Sequence, residues 1–335
     1  MSLSAFEAQV RQALHAGRLW HPAEIGFWLL AFAAFVLFPS HLLLLNEIAI
    51  LALFALSLDL ILGYAGIVSL GHAAFLGMGA YAAGLLAKHV TADPFAGLAA
   101  GMAAAGVLGL FTSPLVLRGT DLTRLMVTLG VALILYELAN SFGSLTGGAD
   151  GLQGITMAPV LGLFEFDLFG RTAYLYSLSV LFLLFLIARR VTSSPFGLSL
   201  RAIRDNPLRA SASGVPNGWR LAAAYTLAAA FAGAAGALLA QTTQFVSLDV
   251  LDFHRSADLM LVLIIGGAGY LYGGLIGAIA FKLLQDMIAT FTPQYWMFWI
   301  GLFLVLFVLG GREIIHGGVA AIAGRIARLG KGAAR

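Results

Sequence analysis

The sequence contains no cysteine, and only 10% of its 335 residues are Asp, Glu, Lys or Arg. Without cysteine, the chain has no disulfide framework, thiol nucleophile or thiolate metal site. A soluble protein needs roughly 25% charged residues to cover its surface, whereas 60% of the residues here are hydrophobic. This composition excludes a water-soluble globule, an intrinsically disordered chain and a nucleic-acid-binding role for the whole protein.

The sequence motifs of several enzyme classes are also missing. The chain has no GxxxxGK[ST] phosphate loop, no HExxH and no GxSxG, and its seven histidines are scattered without a metal-like pair. A P-loop ATPase, a zinc protease and a serine hydrolase therefore have no specific support. We expect no catalytic residues, no metal and no cofactor, so an enzyme is the class of protein least supported.

Long apolar runs predict an all-α fold, a polytopic transmembrane helix bundle with about ten spans and a range of 8 to 11. A stretch of five glycines between residues 266 and 274 predicts a break between the eighth and ninth runs. The runs lie near 24–38, 42–62, 67–87, 95–117, 122–142, 172–188, 219–241, 259–267, 271–288 and 295–310.

The orientation follows from the positions of arginine and lysine, which are enriched in cytoplasmic segments. The loop 190–218 and the tail 312–335 are basic, whereas the connection 143–170 contains acidic residues and no Lys or Arg. We therefore expect both termini and the loop 190–218 in the cytoplasm and the loop 143–170 outside. Residues 1–23 are predicted to lie at the membrane surface or in the cytoplasm, before one permease domain at 24–311.

Two function classes remain for such a chain. A carrier driven by an ion gradient should place ionisable groups within its spans, and Glu47, Asp59, Glu137, Lys282 and Asp286 are the candidates. Internal ion pairs or interfacial positions would account for the same residues. The membrane subunit of a pump with a separate motor should instead present a structured cytoplasmic surface to that motor.

The basic loop has the sequence of a structured surface. It reads VTSSPFGLSLRAIRDNPLRASASGVPNG from residue 191. The pair Ser194-Pro195, a second proline at Pro207 and a stop at Gly214 predict two short helices on the inner surface. The alternative is a solvated basic loop that only fixes topology.

The segment GxxLRAIRDNPxxAxAxGV resembles the ATPase-coupling segment of branched-chain amino-acid permeases of ABC importers, specifically of the LivM type. Similar motifs occur in order over residues 40 to 310, including LILGYAGIVSLGHAAFLGMGAYAAGLL, LRGTDLTRLMVTLG and LMLVLIIGGAGYLYGGLIGA. The resemblance assigns ATPase coupling to Gly197, Leu200, Arg201, Ala202, Ile203, Arg204, Asp205, Asn206, Pro207, Ala210 and Gly214.

The resemblance implies a multi-pass, non-catalytic subunit of the bacterial inner membrane that moves branched-chain or other small amino acids by ATP-driven alternating access. Its implied partners are a second, LivH-like permease subunit, two cytoplasmic ATPases, an extracytoplasmic solute-binding protein and the lipid bilayer, with no nucleic acid. The chain departs from the family pattern at Tyr270, at Gly274 and in the box 209–213. An ABC permease for urea or short amides and a stand-alone carrier remain the alternatives.

Two further groups of residues are candidates within the spans. Polar groups near glycines that loosen a helix can face a solute, so Ser69, Gly71 and His72 are assigned to a translocation pathway. Glu137 is assigned to the same pathway as an ionisable group within a span. Packing or an interfacial histidine is the alternative for Ser69 and His72. Small residues allow close helix approach in lipid, and this packing role is assigned to Gly77, Gly84, Gly233, Gly236, Gly266 and Gly267.

Overall fold

The computed structural model describes residues 21–305, except 292, 296–297 and 303–304. These residues form an all-helical structure without β-strands, apart from isolated bridges between Leu152 and Val246 and between Val160 and Phe164. This confirms the predicted all-α class. Residues 1–20 of the expected segment 1–23, the tail 312–335 and part of the expected span at 295–310 lie outside the described residues.

Twelve α-helices have defined bounds within the described residues. Short 3₁₀ turns lie at Pro39–His41, Gly148–Asp150 and Leu248–Leu251, and a π-helical turn at Leu60–Tyr64 follows the second helix. The helices are α1 Pro22–Leu37, α2 Leu42–Asp59, α3 Ala73–His89, α4 Pro94–Leu117, α5 Asp121–Ser141, α6 Gly143–Thr146, α7 Arg171–Thr192, α8 Pro195–Asp205, α9 Pro207–Ala212, α10 Asn217–Thr243, α11 Phe253–Gly266 and α12 Leu271–Phe291.

Six helical segments in the described part of the chain are long and apolar enough to cross a membrane: Pro39–Tyr64, Pro94–Leu117, Asp121–Ser141, Arg171–Thr192, Asn217–Thr243 and Leu271–Phe291. Three further expected spans correspond to shorter helices, namely α1 with 16 residues, α3 with 17 and α11 with 14. Since a straight span needs about 20 residues, the structure supports a multi-pass membrane protein but leaves the number of ten spans a prediction.

The helix breaks have local causes. The predicted break after the eighth run is present, because α11 ends at Gly266 and α12 begins at Leu271. Gly267 and Gly269 in this turn have φ angles of +88° and +87°, a region that favours glycine. The expected span at 67–87 begins later than predicted, at Ala73, and residues 65–72 connect the π-helical turn to α3 without helix.

The tightest packing joins α3, α4 and α10 through small residues. A methyl group added at Gly79 would meet the backbone of Gly233, and one added at Gly233 would meet Ala105 and the carbonyl of Gly101. These helices therefore approach backbone to backbone, as small residues allow in a membrane. At one end of the bundle, Arg204 of α8 contacts Gly63 in the turn after α2, and Gly71, before α3, lies against Thr128 of α5.

The other glycines assigned to packing divide into two groups. Gly77 faces Leu251, Gly84 faces Leu152 and Ile155, Gly236 faces the carbonyl of Leu76, and Gly266 faces that of Gly273. Gly267 differs, because no atom lies within 4 Å of the position its side chain would take. Gly267 therefore serves the turn and not a close contact.

The contacts of the chain define two compact units, one up to Ala280 and one from Phe281 onward. The first contains α1 to α11, and the boundary falls inside α12. In the second unit, the described part includes a hydrogen bond from Lys282 Nζ to Gln285 Oε1 at 3.2 Å. The residues assigned to ATPase coupling, to the translocation pathway and to packing lie in the first unit, whereas the span candidates Lys282 and Asp286 lie in the second.

Candidate functional site

The predicted two-helix segment is present as α8 and α9. Pro195 and Pro207 each occupy the first turn of a helix, where a missing N–H costs nothing. A proline also holds the preceding residue extended, and Asn206 has φ −160° and ψ 100°. Its Oδ1 accepts a hydrogen bond from the Arg209 N–H at 2.9 Å, which caps α9. Asn206 thus forms a fixed corner between the helices.

One face of this segment packs on the helix bundle. Leu200, Ile203 and Ala210 are buried, and Gly197 is pressed against the backbone of Thr192. These residues hold the segment to the bundle. The opposite face is exposed to solvent and consists of Ala202, Asp205, Asn206, Pro207, Leu208 and Arg209.

Leu208 stands at the tip of the exposed face, with 82% of its surface accessible. Sequence reasoning did not single out this residue. The sequence feature that could have identified it is an apolar residue directly after Pro207, which opens a helix, in an otherwise polar segment. Gly214, with a φ of +82°, lies just after α9, where the sequence placed the stop.

The two arginines assigned to ATPase coupling are turned toward the bundle. Arg204 Nη1 donates a hydrogen bond to the Gly63 carbonyl in the π-helical turn, and its Nη2 lies 3.2 Å from Asp205 Oδ1. The guanidinium of Arg201 lies over the ring of Tyr64, 4.9 Å from its centroid. Both arginines fasten α8 to the end of α2.

A second link joins the end of α2 to the turn between α11 and α12. Asp59 is fully buried, and its Oδ1 accepts a hydrogen bond from the Gly269 N–H at 2.6 Å. Gly63 lies one turn after Asp59. The end of α2 and its π-helical turn therefore contact both α8 and the turn at 267–270. The sequence indicated Asp59 as an ionisable residue within a span but gave no sign of this partner, 210 residues away.

The non-helical residues before α3 carry the polar groups assigned to the pathway. His72 is fully buried, its Nε2 lies 2.8 Å from Ser57 Oγ, and its ring is stacked on Phe54 at a centroid distance of 5.5 Å. Among the described residues, His72 Nδ1 and the buried Ser69 Oγ have no hydrogen-bond partner. Two buried polar atoms without a partner therefore lie in this helix break, although nearly all buried polar groups in proteins are paired.

Neighbouring helices hold this break in place. The Leu70 N–H donates to Thr128 Oγ1 at 3.2 Å, and the Ala73 N–H donates to Ser256 Oγ at 2.9 Å. Gly71 lies against the backbone of Thr128, where no side chain would fit. Sequence reasoning missed Thr128 and Ser256, because single hydroxyl residues in apolar runs carry no motif.

Glu137 lies apart from the other pathway candidates. It is on α5, nine residues beyond Thr128, or about 13 Å along the helix axis. Its side chain is exposed, and its Oε1 accepts a hydrogen bond from Ser141 Oγ at 3.2 Å. The structure thus brings Ser69, Gly71 and His72 together and does not bring Glu137 to them.

Comparison with known proteins shows the family of the chain. Residues 40–308 match the family described as branched-chain amino acid transport system / permease component. The chain is 29% identical over 280 residues to the high-affinity branched-chain amino acid transport system permease protein LivM of Escherichia coli (strain K12), covering 76% of this chain. It is 28% identical over 280 residues to LivM of Salmonella typhimurium, again covering 76% of this chain.

The match covers 64% of the length of each LivM protein. The probable branched-chain amino acid transport permease protein LivH of Methanocaldococcus jannaschii is 26% identical over 258 residues, covering 73% of this chain and 79% of that protein. No solved structure matches the chain. Because the family match extends over more than half of the sequence, the chain belongs to the permease components of branched-chain amino acid transport systems.

Proposed function

We propose that this chain is the transmembrane permease subunit of an ABC importer that moves branched-chain or other small amino acids across the bacterial inner membrane. The observation that carries the proposal is the α8–α9 corner, which is fastened to the bundle on one face and exposed on the other. The family membership supports the same reading. The loop 190–218 and both termini lie in the cytoplasm in this proposal.

Energy for transport comes from partner proteins. The full sequence has no phosphate loop for ATP, so hydrolysis belongs to two cytoplasmic ATPase subunits. A second, LivH-like permease subunit completes the membrane core, and an extracytoplasmic solute-binding protein delivers the amino acid. This chain itself performs no covalent chemistry.

The exposed corner is the docking surface for the ATPase. Asp205, Asn206 and Arg209 offer polar groups around Leu208, whose side chain is 82% exposed. Burying a leucine side chain at a contact contributes about 1.5–3 kcal/mol. Leu208 is therefore the apolar anchor, and Ala202 and Pro207 flank it.

Movement of the corner reaches the spans through two short links. Arg204 holds the Gly63 carbonyl, and Asp59, one turn earlier, holds the Gly269 N–H. A displacement of α8 therefore acts on the end of α2 and on the turn at 267–270 together. Since both places are helix breaks, they can change backbone angles while the helices move as rigid bodies, as alternating access requires.

The solute path passes the break at residues 65–72. The unpaired Ser69 Oγ and His72 Nδ1 offer polar contacts within the bundle, as broken helices do in transporters. Gly71 keeps this backbone close to Thr128. Glu137 belongs to a different stretch of the path, toward the other end of α5.

Transport assays in proteoliposomes test the proposal. The chain is reconstituted with its second permease subunit and ATPases, and labelled leucine is offered together with the solute-binding protein. We expect accumulation only when ATP is present on the ATPase side. The chain alone, given a proton or sodium gradient, should accumulate nothing, and gradient-driven uptake by the chain alone would overturn the proposal in favour of a carrier.

A further inference from the structure

A cavity of about 630 Å³ lies beside α8, between the start of α1, the end of α7 and the residues that follow Gly269. The pathway residues Ser69 and His72 are not part of it. The residues that line it and matter for its chemistry are Glu24, Tyr64, Arg189, Arg201, Arg204 and Tyr272.

The lining of the cavity is positively charged. Three arginines face a single acidic residue, Glu24. Glu24 is engaged by Arg189, with 2.5 Å between Oε2 and Nη1. Asp205 lies 3.2 Å from Arg204 but outside the lining, and Asp59 is buried with its Oδ1 on the Gly269 N–H. The lining therefore carries an excess of two positive charges.

Arg201 has the geometry of an anion ligand. Its guanidinium is held by the face of the Tyr64 ring at 4.9 Å. The Tyr64 side chain is also a hydrogen-bond partner of Arg201, which leaves others of the five guanidinium N–H donors for a ligand. A planar fork of donors that is already held in place suits the oxygens of a phosphate group.

The cavity lies at the depth where the apolar helices begin and end. α1 starts at Pro22, α7 ends at Thr192 after Arg189 and Arg190, and Leu271 opens α12. Tyr270, which also lines the cavity, is 78% exposed, as tyrosines are at membrane interfaces. Basic pockets between helices at this level bind lipid headgroups.

We propose that this cavity is a binding site for a phosphate group, with Arg201 as its principal ligand and Arg204 and Arg189 supplying positive charge. Two sources provide this chemistry, the headgroup of an anionic phospholipid and a soluble phosphate. The site is separate from the solute path and from the exposed face of the α8–α9 corner. Its occupancy would bear on the position of α8, because Arg201 and Arg204 are both on that helix.

The test measures binding to the full chain after removal of co-purified lipid. Phosphatidylglycerol, phosphatidylcholine and inorganic phosphate are added separately. Retained lipid is counted by native mass spectrometry, and the unfolding temperature is followed for each addition. We expect retention of phosphatidylglycerol over phosphatidylcholine, and about fivefold weaker retention in Arg201→Gln, the effect of about 1 kcal/mol from one basic residue. Stabilisation by inorganic phosphate alone would support the site and assign it to a soluble ligand.

Arg190→Gln is the matched control. Arg190 follows Arg189 on α7 and is exposed at the same depth, but it is not in the lining. Ser193→Asp is a second variant, because Ser193 lines the cavity and an added carboxylate repels phosphate without removing a contact of Arg201. Equal losses in Arg190→Gln and Arg201→Gln, unchanged binding in Arg201→Gln and Ser193→Asp, or equal retention of the two lipids together with no stabilisation by inorganic phosphate would each overturn the proposal. Transport is not measured, so the outcome is independent of the proposed function.

Discussion

The Arg204 side chain donates a hydrogen bond to the main-chain carbonyl of Gly63, a residue 141 positions earlier in the chain. Gly66, with a φ of +71°, passes so close to Arg204 that an added side chain would meet its Cγ. A main-chain carbonyl cannot be removed by substitution at Gly63. The guanidinium is therefore the part of this link that mutation can test.

Replacing Arg204 with Gln should weaken coupling between ATP hydrolysis and uptake. The shorter neutral side chain loses a charge-assisted hydrogen bond, which contributes on the order of 1.5 kcal/mol. We expect the amount of leucine transported per ATP hydrolysed to fall about tenfold. The measurement is the ratio of the two rates in the same proteoliposomes.

Arg118→Gln serves as the control for Arg204→Gln. It removes one positive charge from the connection between α4 and α5, and Arg118 is exposed there. Its transport ratio should stay near that of the unaltered protein. Equal ratios for Arg118→Gln and Arg204→Gln would mean that the link to Gly63 does not transmit movement.

The orientation of the bundle in the membrane gives a second prediction. Cysteine labelling can test it without background, because the chain has no cysteine of its own. A single cysteine in place of Leu208 or Leu168 would be the only thiol in the chain, and these residues are 82% and 94% exposed. In inside-out vesicles, an impermeant thiol reagent should label Leu208→Cys and not Leu168→Cys. In right-side-out vesicles, the pattern should reverse. Labelling of Leu208→Cys from outside would contradict the cytoplasmic docking surface.

The ion pair between Glu24 and Arg189 should stabilise the position of α1. Its side chains are only 25% and 14% exposed, and the oxygen and nitrogen are 2.5 Å apart. Glu24→Gln leaves a mostly buried guanidinium with a weaker partner, so we expect a loss of about 2 kcal/mol in the free energy of unfolding. The measurement is reversible unfolding in detergent.

The pair of Asp121 and Arg124, in which the carboxylate is exposed, offers the comparison for that loss. Asp121 is 76% exposed, so Asp121→Asn should change the free energy of unfolding by less than about 1 kcal/mol. Exchanging the two charges, with Glu24→Arg and Arg189→Glu together, should restore part of the loss seen in Glu24→Gln. Additive losses in the exchanged variant would show that the two residues do not interact.

A fourth prediction concerns the pKa of His254, at the start of α11. Asp252 Oδ1 lies 2.8 Å from His254 Nδ1, and this hydrogen bond, with the charge of Asp252, raises the pKa of His254. A raised folded-state pKa stabilises the fold below the unfolded histidine value near 6.5, and this contribution is lost as the pH rises through the folded value. Histidine hydrogen–deuterium exchange should give a pKa above 6.5 that falls in Asp252→Asn. An unchanged value in that variant would exclude Asp252 as the cause.

The α8–α9 corner was predictable because its causes are local. Pro195 and Pro207 can only open helices, Asn206 caps the second one, and Gly214 ends it. The turn after Gly266 was predictable for the same reason, since several glycines in a short stretch cannot continue a span at low cost.

Contacts between distant residues were not predictable from the sequence. The start of α3 was placed too early, because residues 65–72 are held out of helix by Thr128 and by the close approach of Arg204 to Gly66. The assignment of Arg204 to ATPase coupling stays a prediction, but the sequence did not indicate that its guanidinium donates to the Gly63 carbonyl. Such pairings depend on how the helices pack, and no local propensity encodes them.

Ser69 gives the last prediction, for the solute path. Its hydroxyl is buried and has no partner among the described residues, which is unusual for a polar group unless it awaits a ligand or a water molecule. If this hydroxyl contacts the amino acid, Ser69→Ala should raise the solute concentration for half-maximal uptake about fivefold, the effect of one lost hydrogen bond of about 1 kcal/mol. The rate of ATP hydrolysis without solute should not change.

Ser177→Ala is the control for Ser69→Ala. Ser177 is also fully buried, with an unpartnered hydroxyl in the described structure, but it lies within α7, away from the break at 65–72. Ser177→Ala should leave the half-maximal concentration unchanged, and both variants should be inserted at normal levels. If Ser69→Ala and Ser177→Ala behave alike, the Ser69 hydroxyl is a packing feature, and the solute path must run past other residues.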